Sequence, residues 1–203
     1  NERTMLEGVL LTVAAEDLWI ADRNFCTLDF MGGIDDKGAA FVIRQHGSLK
    51  GELLGKSKSR GKTKSGKVSE QALRVTDSRG NTRILRRITI ELKKPTRDGD
   101  WSLHLLTNLP ARKVTAAKVA QLYARRWTVE TMFQELTCTL TCEIKTLGYP
   151  KAALFGFCLA LLAYHAVSVI KAALRNVHGE ETVARNLSGY YLSLELSQTY
   201  AGM

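Results

Sequence analysis

The sequence predicts an α/β fold in which a sheet with flanking helices is interrupted by an antiparallel, β-rich insert. Residues 1–46 alternate between helical and strand-like patterns, residues 47–108 add strand-like runs, and residues 109–178 contain long helical patterns. A hydrophobic share of 45% and a charged share of 24% over 203 residues are typical of a chain that buries a core. Four cysteines without a Cys-x-x-Cys pair exclude a disulfide scaffold and predict reduced thiols.

Hydrophobic spacing predicts the elements of the first 46 residues. Apolar residues at helical intervals predict a helix over Glu7–Ala15, and the apolar run Leu18–Ala21, which ends at Asp22, predicts a buried strand. A short helix should follow and end at Gly32–Gly33, because glycine disfavours helix continuation. Ala39–Gln45 predicts a second strand, and the alternation indicates an α/β sheet.

The insert holds the entire positive excess of the chain. Residues 50–97 contain 15 basic and 4 acidic residues, a net charge of +11, whereas the whole chain carries +9. Gly55–Lys67 has six basic residues and no apolar side chain, so we expect a mobile basic loop there. Strand-like runs follow at Ala72–Thr76, Arg83–Leu92 and Trp101–Leu106. The basic block predicts a polyanionic partner, most simply nucleic acid; the alternative is a solvated surface.

Helices are predicted after the insert. The first runs from Ala116 to about Thr137 and the second from Lys151 to about Asn176. Pro110 and Pro150 precede them, as expected for a residue that is tolerated at helix starts and not in helix interiors. A third helix is expected in the tail, around Ala184–Thr199.

One helical segment, Ala152–Ile170, is apolar enough to resemble a minimal membrane span. Alanine and glycine make up much of its length, and Tyr164, His165 and Ser168 interrupt it. We therefore predict a buried core helix with no membrane partner, and a hydrogen-bonded core position for His165.

A stripe of three side chains on the first long helix carries the candidate chemistry. At about 100° per residue, Tyr123, Arg126 and Glu130 fall together on the edge of the core-facing side. A carboxylate there would be half-sequestered from water, and Arg126 one turn away would keep Glu130 ionised. Such a glutamate suits a divalent cation at a cleft; the alternative is an ordinary Arg–Glu pair on an amphipathic helix.

Asp22 is the second candidate. A strand that ends Trp-Ile-Ala-Asp brings its carboxylate to the carboxyl edge of a sheet, where α/β folds place their sites. The alternative is a helix cap for the turn around Asn24. A strand-end aspartate, a helix-borne glutamate and a basic insert together suggest metal-dependent phosphodiester chemistry on DNA.

These motifs resemble those of a known family. Tyr123-x-x-Arg126-x-x-x-Glu130 is similar to the Tyr–Arg–Glu–Lys signature of bacterial insertion-sequence transposases with an Asp-Asp-Glu site. Ala21–Phe25 resembles the block around the second catalytic aspartate of that family, and Leu106–Pro110 also fits.

The resemblance covers residues 1 to about 175 and implies a partial ribonuclease-H-like fold interrupted by the β-rich insert. The expected parts are a catalytic part with the second aspartate, a basic insert, a helical part with the glutamate and a helical tail. Their boundaries are 1–46, 47–108, 109–178 and 179–203.

The resemblance also implies roles for individual residues. Asp22 and Glu130 would be the catalytic carboxylates and would hold Mg²⁺ or Mn²⁺ at the scissile phosphate. Tyr123 and Arg126 would contact phosphates beside the cut, and Trp127 would stack on an unpaired base or pack against the protein. The remaining DNA-binding candidates, which would follow the backbone without reading bases, are Arg125, Lys56, Lys58, Arg60, Lys62, Lys64 and Lys67.

The function implied is DNA transposition, by phosphodiester hydrolysis and strand transfer at transposon ends. Its partner would be double-stranded DNA, both transposon ends and target, bound by a homodimer in a synaptic complex. The expected location is the bacterial cytoplasm, in association with the nucleoid.

Two departures from the signature bear on activity. The signature's lysine should fall where this chain has Thr137, and Lys145 or Lys151 could take over its phosphate contact. The family's first catalytic aspartate lies on an earlier strand, and Asp17 is the only aspartate before Asp22. We therefore expect a fragment of a longer protein that is inactive by itself.

Three other functions stay open at this point. The chain could be a non-enzymatic DNA-binding module with structural carboxylates, a different ribonuclease-H-like nuclease such as a junction resolvase, or a decayed transposase remnant. A junction resolvase would not need the Tyr–Arg–Glu stripe, so the sequence disfavours that function.

Overall fold

The computed structural model describes residues 2–96, 98–139, 142 and 148–201, and the chain forms two compact units. The first unit, Asn1–Arg126, contains a sheet, and the second unit, Trp127–Met203, is helical.

The first unit is built on a six-stranded sheet with the strand order β1-β2-β6-β5-β4-β3. The strands are β1 (Leu18–Ala21), β2 (Ala40–Arg44), β3 (Glu52–Lys62), β4 (Gly66–Thr76), β5 (Thr82–Leu92) and β6 (Ser102–Thr107). β1 and β2 run parallel, and the other neighbouring pairs are antiparallel. The predicted α/β class with antiparallel strands in the insert is therefore confirmed, and the insert's strands extend the sheet of the first 46 residues.

The lysine-rich segment Gly55–Lys67 is a β-hairpin, so the prediction of a mobile loop is wrong. Its residues continue β3 and β4 and leave residues 63–65 between the strands. Apolar side chains are not needed here, because backbone hydrogen bonds to β4 define an edge strand whose side chains are exposed. Gly55 and Gly61 have positive φ values of 64° and 94° and lie where the β3–β4 register shifts.

Helices cover both faces of the sheet. α1 (Leu6–Thr12) and α2 (Leu28–Asp36) pack on one face, and α3 (Ala116–Ala124) packs on the other. Successive strand residues point to opposite faces, so Ile43 joins the core under α1 and α2, whereas Val42 joins the core under α3. The sheet is therefore buried on both faces over its central strands.

α2 continues through Gly32–Gly33, so the prediction that it ends there is wrong. Thr27 begins the helix by accepting a hydrogen bond from the Phe30 N–H at 3.3 Å. A Cβ atom on Gly32 would lie 2.9 Å from a guanidinium nitrogen of Arg83. Glycine at this position therefore allows close packing against β5 and does not end the helix.

The segment Leu106–Pro110 fastens the end of β6 to β2. The Asn108 side chain accepts a hydrogen bond from the Phe41 N–H at 2.9 Å and donates one to the Ala39 carbonyl oxygen at 2.9 Å. Thr107 is fully buried, and its hydroxyl donates to the Phe41 carbonyl oxygen at 2.5 Å. These two residues of the segment therefore have a structural role in the fold.

Arg86 of β5 connects the sheet to the loop before α3. Its Nε donates to Glu70 at 2.6 Å, and its Nη1 donates to the carbonyl oxygens of Leu109 at 2.7 Å and Val114 at 3.0 Å. Arg60 donates to the other carboxylate oxygen of Glu70 at 2.9 Å. The side chains of Arg86 and Glu70 are only 14% and 11% exposed. This network therefore holds the start of α3 in place from within the sheet.

We expect the contribution of Glu70 to stability to depend on pH. Burial opposes its charge, but the hydrogen bond and charge of Arg86, followed by those of Arg60, lower the pKa of Glu70 below its ordinary value of 4.5. A lowered folded-state pKa gives stabilisation that is complete above the unfolded-state value and is lost as the pH falls through the folded-state value.

The stability difference between the natural chain and Glu70→Gln should therefore be largest near neutral pH and shrink below about pH 4.5. Urea titrations between about pH 7 and about pH 3 measure this difference. Glu52→Gln is the control, because the Glu52–Arg74 pair is exposed and should contribute little at any pH. A Glu70→Gln effect that does not change with pH would contradict the prediction.

The second unit is helical throughout its described elements. These are α4 (Trp127–Gln134), a π-helical turn (Glu135–Thr139), α5 (Pro150–His178), α6 (Glu180–Asn186) and α7 (Gly189–Ala201). The single helix predicted for residues 116–137 is interrupted between α3 and α4. The N–H groups of Arg125 and Arg126 bond to carbonyl oxygens three residues back, which tightens the last turn of α3 and ends it. The single helix predicted in the tail is replaced by two helices, α6 and α7, with residues 187–188 between them.

α5 matches the second predicted helix and ends at Gly179, which has a φ of 83°. Its buried residues are Ala160 and Val167, so the prediction of a buried core helix is wrong. His165 is also exposed. The exposed large apolar residues of α5 are Leu154, Phe155, Leu159, Leu162, Val169, Ile170 and Val177. Among the described helices, α5 is long and apolar enough to cross a membrane, by length and composition only.

Candidate active site

Asp22 follows β1 at the carboxyl edge of the sheet, as predicted. It precedes the 3₁₀ turn Arg23–Phe25, but its side chain makes no capping hydrogen bond to that turn. The alternative interpretation of Asp22 as a helix cap is therefore wrong. The half-buried carboxylate is available for another role at the edge of the sheet.

Tyr123 joins the two predicted motifs of the first unit. Its hydroxyl oxygen lies 3.4 Å from Oδ1 of Asp22, although 101 residues separate the two. The Tyr123 side chain is 3% exposed, and the guanidinium carbon of Arg126 lies 5.6 Å from the centre of its ring. Burial raises the pKa of Tyr123 to about 12, although the charge of Arg126 acts in the opposite direction. Asp22, Tyr123 and Arg126 therefore form one cluster at the end of β1.

Arg44 is a member of this neighbourhood that the sequence patterns did not identify. The parallel register of β1 and β2 brings Asp22 and Arg44 to adjacent strand ends. The charge of Arg44 also acts on the Tyr123 hydroxyl. One signal could have found it, because Arg44 follows an apolar strand run in the same way that Asp22 does.

The β5–β6 loop balances the positive charges beside Asp22. Asp98 pairs with Arg23 at 3.1 Å, and Asp100 pairs with Arg44 at 2.6 Å. The Arg44 side chain is only 14% exposed, so its pair with Asp100 is the better shielded of the two. Asp22 therefore lies near two arginines whose positive charges are balanced by the aspartates of this loop.

The lysine-rich hairpin and Asp22 lie at the same edge of the sheet. β1 and β2 end at this edge, and the antiparallel order of the remaining strands makes β3 and β5 end there as well. Residues 63–65 and the loop 93–101 therefore extend beyond the edge that carries Asp22. The topology thus places the insert's positive charge on the side of the candidate site.

The predicted basic contacts of the insert are all exposed along the hairpin. They are Lys56, Lys58, Arg60, Lys62, Lys64 and Lys67. Arg60 is paired with Glu70, whereas Lys62 lies directly opposite Lys67 in the β3–β4 register. Like charges at opposed positions of a sheet repel each other, so an anionic partner would stabilise this end of the hairpin.

Glu130 and Trp127 lie in α4, in the second unit, and both are exposed. The half-sequestered environment expected for Glu130 is therefore not observed. Arg125 is exposed directly after α3. That Glu130 and Asp22 share a metal cluster stays a prediction.

The departures from the signature lie in the second unit. Thr137 belongs to the π-helical turn, and its hydroxyl donates to the Phe133 carbonyl oxygen at 3.0 Å. Lys151 is exposed in the first turn of α5. Lys145 lies outside the described residues.

The carboxylates fit part of a divalent-cation site. Within the described residues, no group of three or more His, Cys, Asp or Glu side chains could hold a metal ion. Carboxylate oxygens such as those of Asp22 and Glu130 are nevertheless the hard ligands that Mg²⁺ and Mn²⁺ prefer. A hydrogen bond from Tyr123 to Asp22 is also the support that carboxylate ligands commonly have. Asp22 and Glu130 therefore offer suitable oxygen ligands, but the described residues do not supply all the ligands of a metal site.

A comparison with known protein families matches the transposase DDE domain to residues 1–164. The chain belongs to the transposase DDE domain family. The matched range includes both motifs of the candidate site and the whole insert. No curated protein matches the chain.

Membership of the transposase DDE domain family implies transposition-related DNA processing and DNA binding. Transposases of this family generally use a divalent metal. The resemblance inferred from the sequence is confirmed for the family, and the six-stranded mixed sheet is consistent with a ribonuclease-H-like transposase domain.

Proposed function

We propose that this transposase domain carries out metal-dependent phosphodiester hydrolysis and strand transfer at transposon ends, as part of a full-length enzyme of the Tyr–Arg–Glu–Lys branch. The observation that carries the proposal is the contact between the Tyr123 hydroxyl and Asp22. It joins a strand-end aspartate to the motif helix, and both belong to the matched family range.

In this proposal Asp22 and Glu130 hold the divalent cations, and Mg²⁺ or Mn²⁺ fits their oxygen ligands. A bound cation would supply charge stabilisation at the phosphodiester and a nucleophile at neutral pH. Arg126 is half-buried beside Tyr123, and its planar guanidinium suits a phosphate oxygen pair. Arg125 and Trp127 are exposed next to it and provide further DNA contacts.

Duplex DNA would lie along the edge shared by Asp22 and the hairpin. Five strand spacings separate β1 from β3 in the strand order, which is about 24 Å at about 4.8 Å per spacing. That length corresponds to about seven base pairs at about 3.4 Å each. The hairpin lysines would therefore contact the backbone about seven base pairs from the reacting phosphate.

The proposal extends to assembly and location. Transposon ends and target are both double-stranded DNA, so we propose a homodimer that holds both in a synaptic complex. We propose a bacterial, nucleoid-associated location in the cytoplasm, which suits a basic protein with free thiols.

The test of the function is incubation of the full-length protein with DNA and Mg²⁺ or Mn²⁺, followed by gel analysis of nicked and joined strands. We expect cleavage and joining that both require the cation, and no reaction from the 203-residue chain alone. A full-length protein that binds DNA but neither cuts nor joins it with either cation would favour a decayed remnant. Nicking by the chain alone would contradict the expectation that the chain is inactive by itself.

Neutralising two hairpin lysines should weaken DNA binding and its salt dependence. Each phosphate contact contributes about 0.9 to the slope of log K against log salt, so Lys62→Gln with Lys64→Gln should reduce the slope by about 2. Fluorescence anisotropy with a labelled duplex at several salt concentrations measures this slope.

The matched control removes the same charge from the opposite edge of the sheet. Arg79 lies in the β4–β5 turn and Lys113 lies after β6, and both are exposed. Arg79→Gln with Lys113→Gln should leave the slope nearly unchanged. Equal losses in the two double variants would show that only net charge matters and would contradict a hairpin contact.

A further inference from the structure

The burial of Tyr123 is difficult to reconcile with direct contact to DNA. Its side chain is 3% exposed and packs in the core under α3 with Val42, Val119 and Ala120. The Tyr123 side chain therefore offers a DNA phosphate almost no accessible surface. The hydroxyl already has an acceptor, Oδ1 of Asp22, at 3.4 Å.

The direction of this hydrogen bond follows from the chemistry of the two groups. An ionised carboxylate only accepts, so the phenol is the donor. A phenol is protonated at neutral pH, so the Tyr123 hydroxyl has a proton to donate to the carboxylate. A permanent donor aimed at one carboxylate oxygen restricts the orientation of the Asp22 side chain and leaves its second oxygen as a ligand.

We infer that Tyr123 is a positioning residue, which orients the carboxylate of Asp22 for a divalent cation and does not contact the DNA phosphates. The inference rests on the proposed function, because it requires Asp22 to be a metal ligand. Partners that hold a metal-ligating carboxylate commonly change metal affinity by about tenfold or more when they are removed. The Tyr123 hydroxyl occupies that place beside Asp22.

Mn²⁺ binding tests the inference without any need for catalysis. The full-length protein is titrated with Mn²⁺, and the free ion is followed by its electron paramagnetic resonance signal. We expect Asp22→Asn to weaken Mn²⁺ binding most and Tyr123→Phe to weaken it about tenfold, since phenylalanine keeps the ring and removes only the hydroxyl. Tyr149→Phe is the matched control, because Tyr149 is 75% exposed, and it should leave Mn²⁺ binding unchanged.

A double-mutant cycle on unfolding tests the Tyr123–Asp22 hydrogen bond independently of metal binding. Tyr123→Phe, Asp22→Ala, which removes the acceptor, and the double variant are compared by urea unfolding of the 203-residue chain. We expect the effects of the two substitutions on the unfolding equilibrium constant to differ from additivity by about fivefold, because the donor and acceptor interact directly. Strictly additive effects would overturn the inference.

The outcomes of the Mn²⁺ titrations separate the two proposals. If Asp22→Asn weakens Mn²⁺ binding and Tyr123→Phe does not, the positioning role is wrong while the metal role of Asp22 stands. A further loss of DNA affinity in Tyr123→Phe would then assign Tyr123 to the phosphates instead. If Asp22→Asn has no effect on Mn²⁺ binding, the metal site itself is refuted, and the proposed function fails with it.

Discussion

Glu130→Gln should reduce DNA cleavage and joining by the full-length protein at least about a thousandfold. Removing a carboxylate ligand of a catalytic cation removes several kcal/mol of stabilisation of the transition state, and each 1.36 kcal/mol corresponds to about tenfold in rate. Glutamine keeps the size of the side chain, so DNA binding should stay nearly intact. The measurement combines a Mg²⁺-dependent nicking and joining assay with a gel-shift assay on the same duplex.

The control for this variant is Glu181→Gln, which changes another exposed glutamate of the second unit. It should retain normal cleavage and joining. Strand transfer by Glu130→Gln at the natural rate would refute the assignment of Glu130. An equal loss of DNA binding and cleavage would instead show that Glu130 supports DNA contact and not chemistry.

Arg86→Met should be the most destabilising of the proposed substitutions in the first unit. It would leave the nearly buried carboxylate of Glu70 with Arg60 alone and remove two hydrogen bonds to the loop before α3. Loss of one partner from a shielded ion pair costs about 3 kcal/mol, which corresponds to a fall in Tm of roughly 6–12 °C for a chain of this size. Thermal unfolding followed by circular dichroism measures this shift.

Arg74→Met is the matched control, because Arg74 makes an exposed pair with Glu52 on the same sheet. The control should lower Tm much less. Combining Arg86→Met with Glu70→Leu should recover part of the loss, because no unpaired charge then stays buried. Equal shifts for Arg86→Met and Arg74→Met would contradict the importance of burial for the Arg86–Glu70 pair.

The bounds of β1 are predictable because their signal is local, but the predicted burial of this strand is wrong: β1 lies at the edge of the sheet, with Leu18 exposed and its other residues half-buried. Leu18–Ala21 is an apolar run that stops at a charged residue, and β1 has these bounds. Asp22 is therefore identifiable as a candidate from its local sequence alone. Its neighbour Tyr123 was selected for its spacing from Arg126 and Glu130, and its contact with Asp22 depends on the packing of α3 across the sheet, which no local pattern contains.

The wrong predictions for β3, α2 and the helix after residue 116 also have specific causes. β3 lacks apolar residues because it is an exposed edge strand held by backbone pairing, a feature that hydrophobic periodicity does not register. Glycine at position 32 predicts the end of a helix, although in the structure its small size makes room for the Arg83 guanidinium. The break after α3 is not predictable from the Tyr–Arg–Glu stripe, because the stripe fits an uninterrupted helix equally well.

Gly66 is required for the close approach of β4 to β5 beside the basic turn. It is buried at the start of β4, and a Cβ atom there would lie 1.7 Å from the carbonyl oxygen of Glu91. No side chain can fit at that separation, so the approach of β4 to β5 near the basic turn depends on glycine. The position of the basic hairpin relative to β5 therefore depends on a glycine at the start of β4.

The free edge of β3 bears on how this protein should be handled. Unpaired N–H and C=O groups along an eleven-residue edge strand are a template for a strand of another molecule, and lysine is one of the residues that oppose such intermolecular pairing. Replacing all the hairpin lysines by alanine would remove this protection and invite aggregation, which could be mistaken for loss of nucleic-acid affinity. Charge reversal to glutamate would keep molecules apart by repulsion and is the safer choice for extensive substitution.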